Sequence, residues 1–399
     1  MRTSRPHLLL CGWYRPGTGF TRVLEALLPE LASHFSVTWL GVGYDGPAID
    51  HPSGARVLPT NVHGGDIVGA IWLRDHWPDL RPDALFALND LWYLSHYNRE
   101  LAQLAQQHAV PMVGYLPLDG RDPPAAALAE LGGFRRLYTY TQTAAADLRE
   151  VAACEVRVLG HGVDRRRFTP ALDLAASDLL GQRMRLAQSW FDLPEPAFVV
   201  LNAARPDPRK HLRRSLEGFA RFARGRDDVR LCLHHAFAEP ELGERLDDLV
   251  TELQLQPWLL RHPREPGVVT DTQLAGLYNA CAVGVNTAYG EGFGLVSFEH
   301  AACGVPQILP DQLALAELWG DAAERLPASP VRWWGSPLTM VDVQPQDLAR
   351  ALTRWRDEPQ AYAEAALRAW RRSQRGDLDW DALADQLCTE LLHLVFNPD

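Results

Sequence analysis

Short, continuously apolar runs alternate with longer amphipathic stretches along the whole chain, and the alternation occurs in two successive series. The first holds "HLLLCGWY" (7–14), "VTWLGV" (37–42), "ALFALN" (84–89), "PMVGYL" (111–116), "RLYTYT" (136–141) and "EVRVLG" (155–160). Helical patterns fall between them, at 21–35 and near 91–108. The second holds "AFVVLNA" (197–203), "VRLCLHH" (229–235), "CAVGVNT" (281–287) and "VPQILP" (305–310). Its helical stretches lie near 208–224, 241–254, 271–280 and 294–303. Apolar strands separated by helices predict parallel sheets covered on both faces, because an exposed face would alternate with polar residues. Two such series predict an α/β chain of two doubly wound domains.

The stretch "FTPALDLAASD" (168–178), rich in Ala, Asp and Pro, marks the junction, dividing the chain into 1–170 and 171–378. The tail 379–399 carries Leu383, Leu387, Leu391 and Leu392 at helical spacing, with Asp379 placed to cap it. This helix is expected to cross back to the first domain.

Charge and cysteine content narrow the function classes. Lys and Arg against Asp and Glu give 39 − 50 = −11, which argues against a protein that neutralises nucleic-acid phosphates. It also disfavours broad adhesion to anionic membranes, leaving only local peripheral contact. The short basic clusters Arg135–Arg136 and Arg165–Arg167 read as solvated surface. Six cysteines (Cys11, Cys154, Cys232, Cys281, Cys303, Cys388) are scattered without a C-x-x-C pair. They suit free thiols in a reducing compartment and no zinc site. With no apolar run of about 18 residues, the expectation is a cytoplasmic protein without a transmembrane segment.

Ligands of open parallel sheets sit at the carboxyl ends of strands, so chemistry is sought in the loops that follow them. The first such loop, "YRPGTGFTRVLEAL" (14–27), places Gly17 and Gly19 where backbone can approach a ligand and a helix N-terminus begins. A plain tight strand-to-helix turn fits the same residues. It is not G-x-G-x-x-G, since position 22 is Arg, and no acidic residue ends the next strand, so a dinucleotide site is disfavoured. In the second, "NAARPDPRKHL" (202–212), Arg205 and Lys210 bracket a turn and could grip a diphosphate; ordinary surface charge before a helix is the alternative.

The third loop is "YGEGFGLVSFEHAAC" (289–303), which places Glu291 in a glycine turn and Glu299 inside the helix that follows. Eight helical residues rise about 12 Å. That separation is unsuited to a carboxylate pair working about 5 Å apart on one glycosidic bond. The two acids suit different parts of one elongated ligand, with the amides of Gly292, Phe293, Gly294 and Leu295 aimed at negative charge between them. A sugar nucleotide has that layout. An ordinary turn acid and a half-exposed helix residue are the plainer readings.

With these residues in place, the chain resembles the family 4 glycosyltransferases, retaining enzymes of the GT-B fold. "YGEGFGLVSFEHAACGVPQIL" (289–309) resembles that family's Glu–seven residues–Glu element. "NAARPDPRKHL" resembles its Arg-x-x-x-x-Lys clamp, "LGHGVDRRRFTP" (159–170) its element at the end of the first domain, and "YRPGTGFTRVLEAL" its glycine loop. "LYNACAVGVNTA" (277–288) resembles the strand that leads into the glutamate turn.

The resemblance implies two Rossmann-like domains facing a central cleft, with the acceptor bound by 1–170 and a nucleotide-diphosphate sugar by 171–378. It implies that Glu299 accepts from both ribose hydroxyls, that Arg205 and Lys210 hold the diphosphate, and that Glu291 contacts the transferred sugar. The amides of 292–295 would bind the distal phosphate or that sugar, and Gly17 and Gly19 would approach the phosphate. The nucleobase would meet backbone near "PGVVTD" (266–271), including Val269. Many members carry a histidine after the fourth N-terminal strand; here "VGYLPLDG" (113–120) has Asp119, which fits a replacement polar contact and a turn residue equally. His161 fits a junction hydrogen bond and a ligand contact equally.

The implied reaction moves a sugar to an acceptor hydroxyl with retained configuration, without a metal cofactor; D-x-D is absent near any strand end except "DLDWD" (377–381), which opens the last helix. The donor's base and sugar, and the acceptor (a glycan, a lipid-linked or a small molecule), stay open. Rival readings are an epimerase or phosphorylase of the same fold, or a non-catalytic binder of sugar nucleotides.

Overall fold

The computed structural model describes residues 5–234, 240–262 and 269–397. It divides into two compact units, Met1–Gly162 with Asp379–Asp399, and Val163–Leu378.

The first unit is built on eight strands: β1 (His7–Trp13), β2 (Ser36–Val42), β3 (Ile49–Asp50), β4 (Arg56–Pro59), β5 (Ala84–Leu88), β6 (Met112–Tyr115), β7 (Arg136–Thr139) and β8 (Glu155–Val158). They form one sheet in the order β3-β4-β2-β1-β5-β6-β7-β8. All pairs are parallel except β3 with β4. Every residue of β5, β6 and β7 is buried, as continuous apolar runs demand. The chain leaves β1 in one direction to β2 and returns on the other side to β5, so the order reverses between β1 and β5.

The helix Trp380–Phe396 belongs to this unit and packs along the helix Gly19–His34. Asp379 caps it by accepting from the Ala382 amide at 3.1 Å. Its buried leucines are Leu383, Leu387, Leu391 and Leu394; Leu392, counted on the apolar stripe from sequence, is only half-buried. Each fully buried leucine stabilises by about 1.5–3 kcal/mol before entropy is counted. A charged cluster pins the helix to the sheet. Glu390 accepts from Arg136 at 2.9 Å, from Arg157 at 2.8 Å and from the Tyr138 hydroxyl, drawing on β7 and β8.

The second unit holds β9 (Phe198–Asn202), β10 (Val229–His234), β11 (Leu259–His262), β12 (Val283–Val285), β13 (Gln307–Pro310) and β14 (Glu324–Leu326). The sheet order is β11-β10-β9-β12-β13-β14, and every pair is parallel. The order reverses between β9 and β12. A hairpin, β15 (Ala328–Arg332) with β16 (Thr339–Val343), follows. Strands β3, β4, β11 and β14 and this hairpin were not anticipated, being short or edge elements without a long apolar run.

The expected junction at 170 moves to Gly162–Val163. The stretch 163–170 belongs to the second unit because its residues find their partners there. Phe168 packs on Tyr278 with ring centroids 5.6 Å apart, the Thr169 carbonyl accepts from Asn279 at 3.0 Å, and Val163 donates to the Leu378 carbonyl at 2.9 Å. The six cysteines are free thiols, five of them buried. Among the described residues, no helix is long and apolar enough to cross a membrane.

Candidate functional site

The reversal of strand order between β9 and β12 leaves a gap at their carboxyl ends, where the connecting segments diverge to opposite sides of the sheet. Two segments rise there: Ala203–His211 after β9, and Asn286–Gly294 after β12.

A helix running from 208 was expected. Instead Pro208–Lys210 form a single 3₁₀ turn, His211 takes a left-handed backbone at φ 47°, and the helix proper is Leu212–Ala223. The left-handed residue ends the turn and releases Arg209 and Lys210 from the helical register. Lys210 Nζ stands 2.6 Å from Glu291 Oε2. Arg209, which the sequence reading did not single out, donates to the Gly290 carbonyl at 2.6 Å and stands 3.8 Å from the Glu291 carboxylate. Gln312, also missed, donates to the Glu291 carbonyl at 2.8 Å, and the Asn286 side chain helps lower the Glu291 pKa. Burial alone would push the Glu291 carboxyl up; the attraction of Lys210 and then Arg209 outweighs it and holds the group below the usual carboxylate range. Glu291 is therefore ionised near neutrality, and accepts hydrogen bonds without donating one.

Arg205 is exposed and makes no hydrogen bond or ion pair among the described residues. It stands on the same segment as Lys210, three residues beyond the end of β9.

Gly294 has φ 83°, a conformation that disfavours side chains, and caps the helix Leu295–Ala302. Its carbonyl takes the amides of Ser297 and Phe298. The amides of Gly292, Gly294 and Leu295 donate to no partner among the described residues. The Phe293 ring is buried against Phe298, which stacks on Trp319 at 4.3 Å, so this ring anchors the turn and only its backbone belongs to the site. Glu299 is buried, with the Tyr278 hydroxyl donating to it at 3.3 Å. Val269 is half-buried just before Thr270, which caps the helix Asp271–Ala280. The rest of the expected nucleobase stretch, 266–268, lies outside the described residues.

In the first unit, Gly17 (φ 83°) and Gly19 are exposed after β1. The buried Thr21 hydroxyl ties their loop by donating to Trp13 O at 2.8 Å and accepting from the Arg15 amide at 2.9 Å. Asp119 is half-buried after β6, and it and Asp90 both bear electrostatically on the buried Tyr140 hydroxyl. His161 is enclosed by Tyr140 (centroids 4.0 Å), Tyr115 (5.6 Å) and Trp380 (5.9 Å), and burial pushes its pKa down to about 3. Asn89, directly after β5, is fully buried with both amide atoms unpartnered among the described residues; only its place at the reversal of strand order could have flagged it.

One grouping of metal-ligand type occurs among the described residues, Glu30, His34 and Cys388, with ligand atoms within 4.8 Å of one another. It sits where the helix Gly19–His34 ends, two residues before β2 begins at Ser36, so it lies at the sheet's amino edge.

A model of the family described as Family 4 Glycosyltransferase in conflict systems matches residues 167–387. The chain is 30% identical over 295 residues to a D-inositol 3-phosphate glycosyltransferase of Thermomonospora curvata; the match covers 70% of this chain but 63% of that protein. The structure is similar to sucrose-phosphate synthase from Thermosynechococcus elongatus, with a TM-score of 0.76, 18% identity, and 99% and 100% of the two chains covered. It is also similar to Anabaena HepE in complex with UDP and glucose, with a TM-score of 0.70, 17% identity, and 98% and 100% covered. The fold is GT-B.

Proposed function

Because the chain belongs to the Family 4 Glycosyltransferases in conflict systems, we propose that it transfers a sugar from a nucleoside-diphosphate sugar to an acceptor hydroxyl, with retention of configuration. The observation that carries this reading is the Lys210–Glu291 ion pair at the carboxyl ends of β9 and β12.

Arg209 and Lys210 face Glu291, and Arg205 stands on the same segment with Asp207, so three cations stand against two carboxylates, or +3 − 2 = +1. A diphosphate suits that excess. Arg205, with no partner among the described residues, can turn onto the ligand, and Lys210 exchanges part of its contact with Glu291 for phosphate oxygen. The amides of Gly292, Gly294 and Leu295 add donors that need no reorganisation. Glu291, kept ionised, accepts from hydroxyls of the transferred sugar. Glu299, deeper in the helix, accepts from the ribose diol, its two oxygens matching two vicinal donors.

The barrier lies in breaking the bond from the sugar C1 to the diphosphate oxygen. Negative charge grows on that oxygen as the bond lengthens, and the cations and amides stabilise it more than the ground state. The acceptor oxygen forms the new bond to C1 on the same face, and its proton passes to the departing diphosphate. This route calls for no metal. The Anabaena neighbour was solved with UDP and glucose, so uridine donors are the first to try.

The test is release of nucleoside diphosphate from a panel of sugar nucleotides, with and without candidate acceptor polyols and sugars. Acceptor-dependent release with an axial product from an axial donor is expected, unchanged by a chelator. Isomerised or phosphorolysed sugar without acceptor, or loss of turnover on chelation, overturns the corresponding part.

A further inference from the structure

His211 is a non-glycine side chain held at φ 47° immediately after Lys210, and the backbone strain of that conformation persists only where surroundings enforce it. The structure assigns His211 and Tyr289 as positioning residues that lock the Lys210 ammonium onto the diphosphate subsite, an inference that rests on the glycosyltransferase reading.

The lock is built from contacts on both sides of Lys210. On the amino side, the Arg209 carbonyl accepts from the Tyr289 amide at 2.9 Å. On the carboxyl side, the His211 ring lies parallel to the Tyr289 ring, with centroids 3.9 Å apart and planes at 13°. The His211 carbonyl accepts from the Thr287 hydroxyl at 3.1 Å. The 209–211 run is thus stitched to the 287–289 run at three points, with Lys210 at its centre. Tyr289 is two residues before Glu291, so the same ring that fixes Lys210 also fixes the chain leading to its carboxylate partner.

The two runs are themselves anchored. The Tyr289 carbonyl accepts from Val341 of β16 at 2.8 Å, and Trp333 stacks on the Tyr289 ring at 5.6 Å. His211 Nδ1 stands 3.4 Å from Asp342 Oδ1, and Arg214 holds that carboxylate through two bonds of 3.0 and 2.7 Å. Burial, against the pull of Asp342, lowers the His211 pKa to about 4, so the ring is neutral near pH 7 and adds no cation to compete with Lys210 for phosphate. Alanine at 211 would keep the left-handed strain and lose the stack, freeing the turn to relax into the following helix and swing Lys210 away from Glu291.

The experiment is a double-mutant cycle read by UDP binding in calorimetry on the full chain, with thermal unfolding recorded for each variant. Misplacing a binding group by about 1 Å costs up to about a hundredfold, so H211A and Y289L are each expected to weaken UDP binding by about tenfold or more. In a K210A background H211A should change UDP affinity no further, because its effect runs through that lysine. H211F, which keeps the stacked ring, should restore most of the affinity. If H211A does not fold, Y289L completes the same cycle. Additive losses in H211A/K210A, or wild-type affinity in H211A and Y289L while K210A is weakened, overturn this inference alone. Wild-type protein that binds neither UDP nor another nucleoside diphosphate overturns it together with the donor site.

Discussion

Lys210 Nζ and Glu291 Oε2 lie 2.6 Å apart, both side chains largely buried, at the ends of two adjacent parallel strands. On the proposed reading, this pair holds a cation ready for a phosphate. K210A should lower kcat/KM about 100- to 1000-fold, the loss typical of removing one preorganised donor from a developing oxyanion. Steady-state kinetics on the productive donor checks this; an effect under about threefold would remove Lys210 from the transition state.

The same pair makes stability depend on acid. The Glu291 carboxyl is depressed in the folded chain, so its contribution is complete above the unfolded carboxylate range, near pH 4.5. It is lost as pH falls through the lower folded value. Urea unfolding of wild type and E291Q should therefore differ at neutral pH and converge in strong acid.

Glu299, buried beside Tyr278, is expected to read the ribose diol. Wild-type protein should prefer a ribonucleoside diphosphate over its 2′-deoxy analogue, because the missing hydroxyl removes one hydrogen bond to a buried carboxyl, at a cost of about 1–3 kcal/mol. E299Q should lose most of that preference. Equal discrimination in both proteins would move the ribose elsewhere.

Glu390 gathers Arg136, Arg157 and Tyr138 beneath the C-terminal helix. E390A leaves the buried Arg136 with one carboxylate partner fewer and should destabilise the first unit by about 3 kcal/mol. A chevron or equilibrium denaturation measurement decides this, and a loss below about 0.5 kcal/mol would make the cluster ordinary surface charge.

His161 is held neutral by burial, with its pKa near 3. The unfolded chain binds a proton on this ring below about pH 6.5 and the folded chain does not, so its part of the stability is intact above that value and drains as pH falls toward 3. Between about pH 6.5 and 5 this amounts to at most roughly 2 kcal/mol. H161F should flatten that portion of the stability curve; an unchanged slope would assign the acid lability to other groups.

What could be read along the chain is local. "ALFAL" and "FVVLN" are strands buried at every residue because a sheet covered on both faces admits no polar alternation. The glycine turn with Glu291, the helix carrying Glu299 and the turn holding Lys210 follow from strand–turn–helix order. Arg209 and Lys210 are neighbours of one charge, and nothing in their order tells which faces Glu291. The tertiary structure sets Lys210 at 2.6 Å and Arg209 at 3.8 Å, beside a left-handed His211 whose ring stacks on Tyr289, 78 positions later.

Amino-acid order alone established two doubly wound units, the strand ends where a ligand would sit, and most of the charged groups found there, because periodicity and turn chemistry act over a few residues. Folding in three dimensions settled the rest: that 163–170 belongs to the second unit through Phe168 and Asn279, that Glu390 draws its partners from β7 and β8, and that Arg209 and Gln312 join Glu291. Those contacts join residues far apart in sequence, and which of them form is set by the packing of whole elements, for which no short stretch carries a signal.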